Sequence, residues 1–280
     1  MNISIVARAI ENFPTLPTVY SALLELLSDI DTKISDIVNL ISKDQATVLK
    51  ILKTANASYY GFSSKVENIT NAITLLGFYE IKNIVMSLTV IDLFKMTKLN
   101  QLINPIDYWK HSIGVATISR RLGIALGATQ TENYYLSGLL HDVGKLVMYL
   151  KFTPEYAKTL QYAKNYDCSL LEAEEQVLGL NHQQIGEILA EKWNLPNDIR
   201  NAIRYHHSGV LADGFETQTA VVHLANIGAK ILNMGASGNE VIEKPNPIVW
   251  KKLGLPKNSF INNFIPIMND YQQSLQLFLL

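Results

Sequence analysis

Cysteine, surplus charge and long apolar runs are all scarce in this chain of 280 residues. Cys168 is the only cysteine, so no internal disulfide can form and a reducing compartment is expected. Lys and Arg number 24 against 25 Asp and Glu, a near balance that argues against a DNA-binding surface, which needs clustered positive charge. The most apolar run, Ile84 to Phe94, contains Asp92 and is too short to cross a bilayer. We therefore expect a cytoplasmic protein that binds neither DNA nor a membrane.

Strand signals are missing as well. No segment shows sustained alternation of apolar and polar residues, and no Asn-Gly or Asp-Gly turn lies between β-branched runs. Apolar residues instead recur at helical spacing almost throughout, which predicts an all-α, multi-helix bundle. The segment Asn100 to Pro105 is the first good boundary, so we predict an N-terminal helical lobe over residues 1–104 and a longer lobe over residues 105–280.

Helix ends are indicated at several places by capping residues. Asp44 and Ser35 are expected to cap two helices of the first lobe, and Gly77 is expected to end a short helix. Ser169 followed by Glu172 is a capping-box pattern. A single helix is predicted from Glu132 to Leu150, with an adjacent His-Asp pair inside it.

Histidines are concentrated in the second lobe. Taken singly, each is more often a hydrogen-bonded core or surface histidine than a metal ligand. Several imidazoles on core-facing helix surfaces are costly to bury unless something satisfies them, and a metal cluster does so economically. Imidazole suits Fe, Zn and Ni, and a carboxylate such as Asp142 can bridge two ions. The six histidines are His111, His141, His182, His206, His207 and His223.

The order of these residues resembles a known signature. His111, then His141-Asp142 with Gly144-Lys145 after it, is similar to the pattern of the HD superfamily of metal-dependent phosphohydrolases. Further motifs narrow the resemblance to the HDOD domain, over about residues 13–250. These motifs are Phe13 to Pro17, Ser42 to Gln45 with Asn56 to Ser58, Ile73 to Gly77, Gly179 to His182, Trp193 to Pro196 and His206-His207.

The resemblance implies an output or interaction module of bacterial signal transduction, a class whose catalytic activity is generally unproven. By likeness to the HD-GYP relatives, it implies one or two divalent transition-metal ions, of Fe, Mn, Zn or Ni. Asp142 would bridge the ions and Lys145 would touch a phosphate, while Asp107 matches an extra carboxylate ligand of some relatives. The implied metal ligands are His111, His141, Asp142, His182, His206 and His207.

Two departures from the pattern bear on activity. The closing aspartate of the HD pattern is matched here by Asn226, whose amide oxygen is a neutral and weaker ligand. The segment Ser208 to Ala212 lacks the Gly-Tyr-Pro element that the relatives associate with hydrolysis of cyclic di-GMP. With fewer carboxylates, the site stays electropositive, which favours holding phosphate or another anion over turnover.

Three hypotheses follow. The first is a non-enzymatic signalling module that binds a protein partner in trans and a phosphate or nucleotide ligand at its metal site. The second is a metal-dependent phosphohydrolase or phosphodiesterase acting on a nucleotide or cyclic dinucleotide, with Asp142 and Lys145 as catalytic residues. The third is a structural domain whose histidines are relics.

Overall fold

Helices make up the regular structure of the chain. A computed structural model describes residues 2–14, 18–29, 31–56, 60, 62–95, 104–236, 238, 241–256 and 258–279. Within those ranges there is no strand, only an isolated bridge between Leu211 and Gly214, so the all-α prediction is confirmed. No helix of the described ranges is both long and apolar enough to span a bilayer.

The helices are numbered here in chain order. They are α1 Ile3–Glu11, α2 Thr18–Ser28, α3 Ile34–Ile41, α4 Gln45–Ala55, α5 Ile69–Lys95, α6 Pro105–Ala125, α7 Thr131–Leu140, α8 Val143–Lys151, α9 Thr153–Tyr166, α10 Leu170–Leu178, α11 His182–Lys192, α12 Asn197–Tyr205, α13 Thr217–Ile231, α14 Pro247–Leu253, α15 Ser259–Asn262 and α16 Phe264–Leu279.

The chain forms two compact units, and the larger one carries all six histidines. It comprises Met1–Pro14 with Phe94–Ile267. Its central helices are α6 and α13, which pack against each other and against α7 and bury residues on nearly every side. The backbones of α6 and α7 approach closely, since a Cβ atom on Gly138 would lie 2.7 Å from the Cα of Ala116. Close packing of this kind is what brings side chains from separate helices to one place.

The smaller unit comprises Thr15–Leu93 with Met268–Leu280. Asp44 caps α4 as predicted, because its carboxylate accepts hydrogen bonds from the backbone N–H groups of Ala46 and Thr47. The predicted helix break at Gly77 is also present, since that residue has φ 79° inside α5. The units differ from the lobes predicted to meet at residue 104: α1 lies with the histidines, and residues 268–280 lie with α2 to α5.

Two local predictions differ from the structure. α3 begins one residue before Ser35, and its N-cap is Lys33, whose backbone N–H donates to the Asp36 carboxylate over 3.0 Å. The helix predicted from Glu132 to Leu150 is broken in two, because the backbone at Asp142 leaves helical geometry (φ −99°, ψ 11°). Residues 100–103 of the boundary predicted from Asn100 to Pro105 lie outside the described residues, as do residues 15–17 and 57–58 of the N-terminal motifs.

The capping box at the start of α10 gives a test of local stability. Ser169 Oγ accepts a hydrogen bond from the Glu172 N–H, and the Glu172 carboxylate accepts one from the Ser169 N–H. Replacing Ser169 with alanine is expected to lower the free energy of unfolding by about 1 kcal/mol, because it removes the side-chain cap. Urea unfolding followed by circular dichroism measures the change.

The exposed Ser35 provides the matched control, since it is not an N-cap in the structure. Ser35→Ala is expected to change the free energy of unfolding by less than about 0.5 kcal/mol. Equal losses in the two variants would show that the Ser169 cap contributes nothing of its own.

Candidate metal centre

The His-Asp pair lies at the junction between α7 and α8, in the interior of the larger unit. His141 is fully buried, and Asp142 is 1 % exposed. Two groups hold Asp142 in place: Lys145 Nζ lies 2.7 Å from Asp142 Oδ2, and the Tyr108 hydroxyl donates to the Asp142 carbonyl over 2.6 Å. Because the helices break here, the side chains of His141 and Asp142 extend from a rigid corner between α7 and α8 and not from one face of a single helix.

Four other histidines of the predicted set reach this corner from three further elements. His111 comes from α6, His182 is the first residue of α11, and His206-His207 follow the end of α12. The candidate ligands form two groups, and within each group all ligand atoms lie within 4.8 Å of one another. The first group is His182, His206 and His207, and the second is His111, His141 and Asp142. The convergence that the sequence required is thus present.

Asp142 lies between the two groups. Its Oδ1 atom is 3.3 Å from His182 Nε2 and 3.5 Å from His206 Nε2, and its Oδ2 atom is 3.3 Å from His141 Nε2. Each carboxylate oxygen therefore faces a different group of imidazoles. We call His182, His206 and His207 the three-histidine half, and His111, His141 and Asn226 the Asn226 half, with Asp142 shared by both.

The outward-facing nitrogen of each ring fixes where its proton lies. His141 Nδ1 and His206 Nδ1 face the backbone carbonyls of Gly138 and Ile203, at 2.7 and 2.9 Å, so these nitrogens must donate. His207 Nδ1 faces the Glu243 carboxylate at 3.0 Å and donates likewise. In the neutral rings this leaves the Nε2 lone pairs bare and directed at the shared centre.

His182 has the same orientation but a different partner. Its Nδ1 atom and its backbone N–H both contact Oε2 of Glu174, at 2.6 and 2.8 Å. If Glu174 is ionised, His182 Nε2 is bare too. If Glu174 is protonated, one proton on His182 Nε2 serves three neighbours, His206 Nε2 at 3.2 Å, His207 Nε2 at 3.1 Å and Asp142 Oδ1. In both cases the lone pairs at the centre outnumber the protons.

Excess lone pairs in a buried site call for a cation. Among the described residues, Asp142 Oδ1 and His141 Nε2 are buried with no hydrogen-bond partner. Bare imidazole nitrogens backed by carbonyl or carboxylate acceptors are the arrangement by which proteins orient metal-ligating histidines. The donor set of imidazoles and one carboxylate suits a divalent transition metal, so the residues present fit the ion that the sequence implied.

The electrostatics of the site favour the neutral imidazoles of His111, His182 and His206. Burial lowers the pKa of His206 to about 3, and the pKa values of His111 and His182 also lie well below the usual range because of burial. Burial alone would raise the pKa of Asp142, but His141 and Lys145 together hold it well below its usual value. Neutral histidines beside an ionised aspartate are the protonation states that metal ligation requires.

Two carboxylates that sequence reasoning missed stand behind the histidines. Burial raises the pKa of Glu174, which is fully buried, to about 8. Burial would also raise the pKa of Glu243, but hydrogen bonding to His207 lowers it to about 2. Lys230 Nζ lies 3.6 Å from the same Glu243.

The remaining residues of the predicted set have other surroundings. His111 Nε2 lies 3.1 Å from Asn226 Oδ1, so the Asn226 side chain does reach the cluster. Asp107 does not: its carboxylate is half-exposed and pairs with Lys110, where it keeps its hydration. His223 is satisfied by protein groups, since its Nδ1 faces the His206 carbonyl and its Nε2 accepts from the Asn246 N–H.

Comparison with known proteins agrees with the fold and the motifs. The sequence profile of the HDOD domain matches residues 13–209. An uncharacterized protein of Treponema pallidum is 28% identical over 236 residues, covering 81% of this chain and 44% of its own length. The uncharacterized protein YuxH of Bacillus subtilis is 29% identical over 161 residues, covering 55% and 38%. The chain thus spans less than half the length of these curated relatives.

Solved structures share the fold at lower identity. An HDOD domain protein of unknown function from Geobacter sulfurreducens has a TM-score of 0.79 at 24% identity, with both chains fully covered. A protein described as a candidate in signal transduction, from Marinobacter aquaeolei, has a TM-score of 0.74 at 21% identity, covering 97% of this chain and 63% of its own. A candidate metal-dependent phosphohydrolase from Shewanella amazonensis has a TM-score of 0.62 at 19% identity, covering 96% and 97%.

The resemblance drawn from the histidine pattern and the N-terminal motifs is therefore confirmed by a profile that matches most of the chain. This protein belongs to the HDOD domain family.

Proposed function

We propose that this HDOD chain is a signalling module that holds a divalent transition-metal ion in its histidine cluster and acts by binding a partner protein, with little or no hydrolysis. The observation that carries the proposal is the excess of buried lone pairs around Asp142. A bound ion would supply the positive charge that these lone pairs need and would attract phosphate or another anion to the site.

The residues divide the work of holding such a site. The imidazoles supply neutral nitrogen ligands, and Asp142 supplies the carboxylate that faces both groups. Lys145, which is 3 % exposed, balances the Asp142 charge from 2.7 Å and places a second cation where a phosphate would approach. Because Asn226 stands where hydrolytic relatives have a carboxylate, the site lacks one negative charge that would fix and tune a nucleophile.

The support for partner binding comes from the relatives of this chain and not from a docking surface in the structure. A structural neighbour is described as a candidate in signal transduction, and the curated relatives are more than twice as long as their matched segments. The identity of the partner and the input signal are therefore proposals for the whole protein. We expect a protein partner, and a phosphate or nucleotide as the small ligand.

A second candidate function is a metal-dependent phosphohydrolase or phosphodiesterase acting on a nucleotide or cyclic dinucleotide. The observation that favours it is that the other residues of the implied site, five histidines with Asp142 and Lys145, are all buried together or nearly so. In that case Asp142 would hold the ions and Lys145 would neutralise the phosphate charge that develops in the transition state.

Two measurements separate the two candidate functions: hydrolysis by the wild-type protein and hydrolysis by the Asn226→Asp variant. Purified wild-type protein is expected to contain metal by elemental analysis but to hydrolyse nucleotides and cyclic dinucleotides no faster than the background with Mn²⁺ or Fe²⁺ added. The aspartate variant is expected to gain hydrolysis of at least about tenfold over wild type, which corresponds to about 1.4 kcal/mol of added transition-state stabilisation.

The exposed Asn262 gives the matched control, since Asn262→Asp adds the same charge far from the cluster along the chain. Wild-type hydrolysis that disappears in His141→Ala would overturn the signalling proposal in favour of the phosphohydrolase. Wild-type protein without metal, in which added ions also fail to bind, would exclude both.

A further inference from the structure

The two halves of the cluster are satisfied to different degrees by protein groups alone. In the Asn226 half, one proton on His111 Nε2 completes a hydrogen bond to Asn226 Oδ1 at 3.1 Å. Only His141 Nε2 is left there without a partner. In the three-histidine half, His182 Nε2 lies 3.2 Å from His206 Nε2 and 3.1 Å from His207 Nε2, and the three atoms share at most one proton. The need for a cation is therefore greater in the three-histidine half.

The groups that contact the outer nitrogens of the ligating rings also differ between the two halves. Two of the three rings in the three-histidine half have a carboxylate at their outer nitrogen, Glu174 at His182 and Glu243 at His207. In the other half, His141 donates to a neutral carbonyl, and Asn226 is itself neutral. A carboxylate that accepts the outer N–H makes an imidazole a stronger metal ligand and fixes its orientation.

Contacts with the larger unit hold Glu243 in place beside the outer nitrogen of His207. It lies in the segment before α14, which is fixed to the larger unit by several contacts. Lys230 Nζ contacts Glu243 Oε1 at 3.6 Å and donates to the Val241 carbonyl over 3.3 Å. The Asn246 side chain donates to the Ser208 carbonyl over 2.8 Å, next to His207. These contacts direct the Glu243 carboxylate at the outer nitrogen of His207.

From this asymmetry we propose that the two halves bind metal ions in order. The three-histidine half holds one ion tightly, and the Asn226 half binds a second ion weakly. Glu243 is a positioning residue for the first ion. The proposal rests on the proposed metal-binding function. It makes the resting protein a one-ion protein, with a second position open to an exchangeable ion.

The test is equilibrium binding of Zn²⁺ to the full chain after metal removal with a chelator. Competition with a chelator of known affinity gives the first binding constant, and dialysis against rising free Zn²⁺ followed by elemental analysis gives the second. Wild type is expected to bind a first ion at least about 100-fold more tightly than a second. Glu243→Gln keeps the shape of the side chain and is expected to weaken the first ion by about 10- to 100-fold and leave the second unchanged.

Two further variants make the test specific. Asn226→Asp is expected to tighten the second ion by at least about tenfold and leave the first unchanged, because it adds a carboxylate to that half alone. Glu187→Gln is the matched control, since Glu187 is a half-exposed carboxylate on the same helix as His182 that pairs with Arg204. Circular dichroism with excess Zn²⁺ verifies that every variant is folded.

Two ions of equal affinity, or a Glu243→Gln variant with an unchanged first constant, would overturn the inference and leave the metal-binding function standing. A folded wild-type protein that binds no Zn²⁺ would overturn the proposed function itself.

Discussion

Replacing Asp142 with asparagine is expected to abolish stoichiometric metal binding and to lower the free energy of unfolding by about 3–5 kcal/mol. The substitution keeps the shape of the side chain but removes the charge that faces both groups of imidazoles, at 3.3 Å from His182 Nε2 and from His141 Nε2. It also leaves the ammonium of Lys145 buried without the carboxylate that contacts it at 2.7 Å. Elemental analysis measures the first effect, and urea unfolding in excess chelator measures the second without a contribution from bound metal.

The double variant Asp142→Asn with Lys145→Met separates the two effects. Methionine has nearly the same length as lysine and no charge, so most of the lost stability is expected to return while metal binding stays absent. If Asp142→Asn retains the wild-type metal content, the carboxylate is not a ligand. If its stability in chelator equals that of wild type, the Asp142–Lys145 pair contributes nothing to the fold.

Several helix ends could be predicted because their causes are local. Asp44 and Ser169 cap their helices through hydrogen bonds to backbone groups two or three residues on, and Gly77 breaks α5 with a positive φ. Such features depend on a few neighbouring residues, which the sequence shows directly. Ser35 failed as a cap because Lys33 and Asp36 form a competing arrangement at the same helix start.

The break at His141-Asp142 could not be predicted in the same way. No proline stands there, and Val143, Leu146 and Val147 continue the apolar pattern of the preceding helix. The contacts that hold the corner come from residues close in the fold, such as Tyr108, whose hydroxyl donates to the Asp142 carbonyl 34 residues away. A tertiary contact of this kind leaves no local signal in the sequence.

The two carboxylates that contact the histidines, Glu174 and Glu243, differ in how clearly the sequence indicates them. Glu174 lies four residues from both Leu170 and Leu178, so its place on the apolar face of α10 is a signal from which a buried polar role could have been predicted. Glu243 had no such signal, since it lies in an irregular segment 36 residues after His207, the ring it contacts. The histidines themselves were predictable from their number and from the resemblance, but their grouping into two unequal halves depends on how the helices pack, which leaves no local signal in the sequence.

Gly144→Ala is expected to lower the free energy of unfolding by at least about 3 kcal/mol and to reduce metal affinity. A Cβ atom at this position would lie 1.9 Å from the His182 carbonyl oxygen and 2.7 Å from the Gly186 backbone nitrogen. Both are backbone atoms of α11, so the clash can be relieved only by moving α8 and α11 apart. That movement would withdraw His182 from Asp142, which lies two residues before Gly144. Thermal unfolding and elemental analysis measure the two effects.

The control is Gly214→Ala, because a Cβ atom there meets nothing within 4 Å. It changes the same residue type in the same unit and is expected to alter the free energy of unfolding by less than about 0.5 kcal/mol. A Gly144→Ala protein with wild-type stability and metal content would show that α8 and α11 do not need this close approach. In that case the small residue after the His-Asp pair would serve neither packing nor the placement of His182. Loss of stability with full metal affinity would assign Gly144 to packing alone.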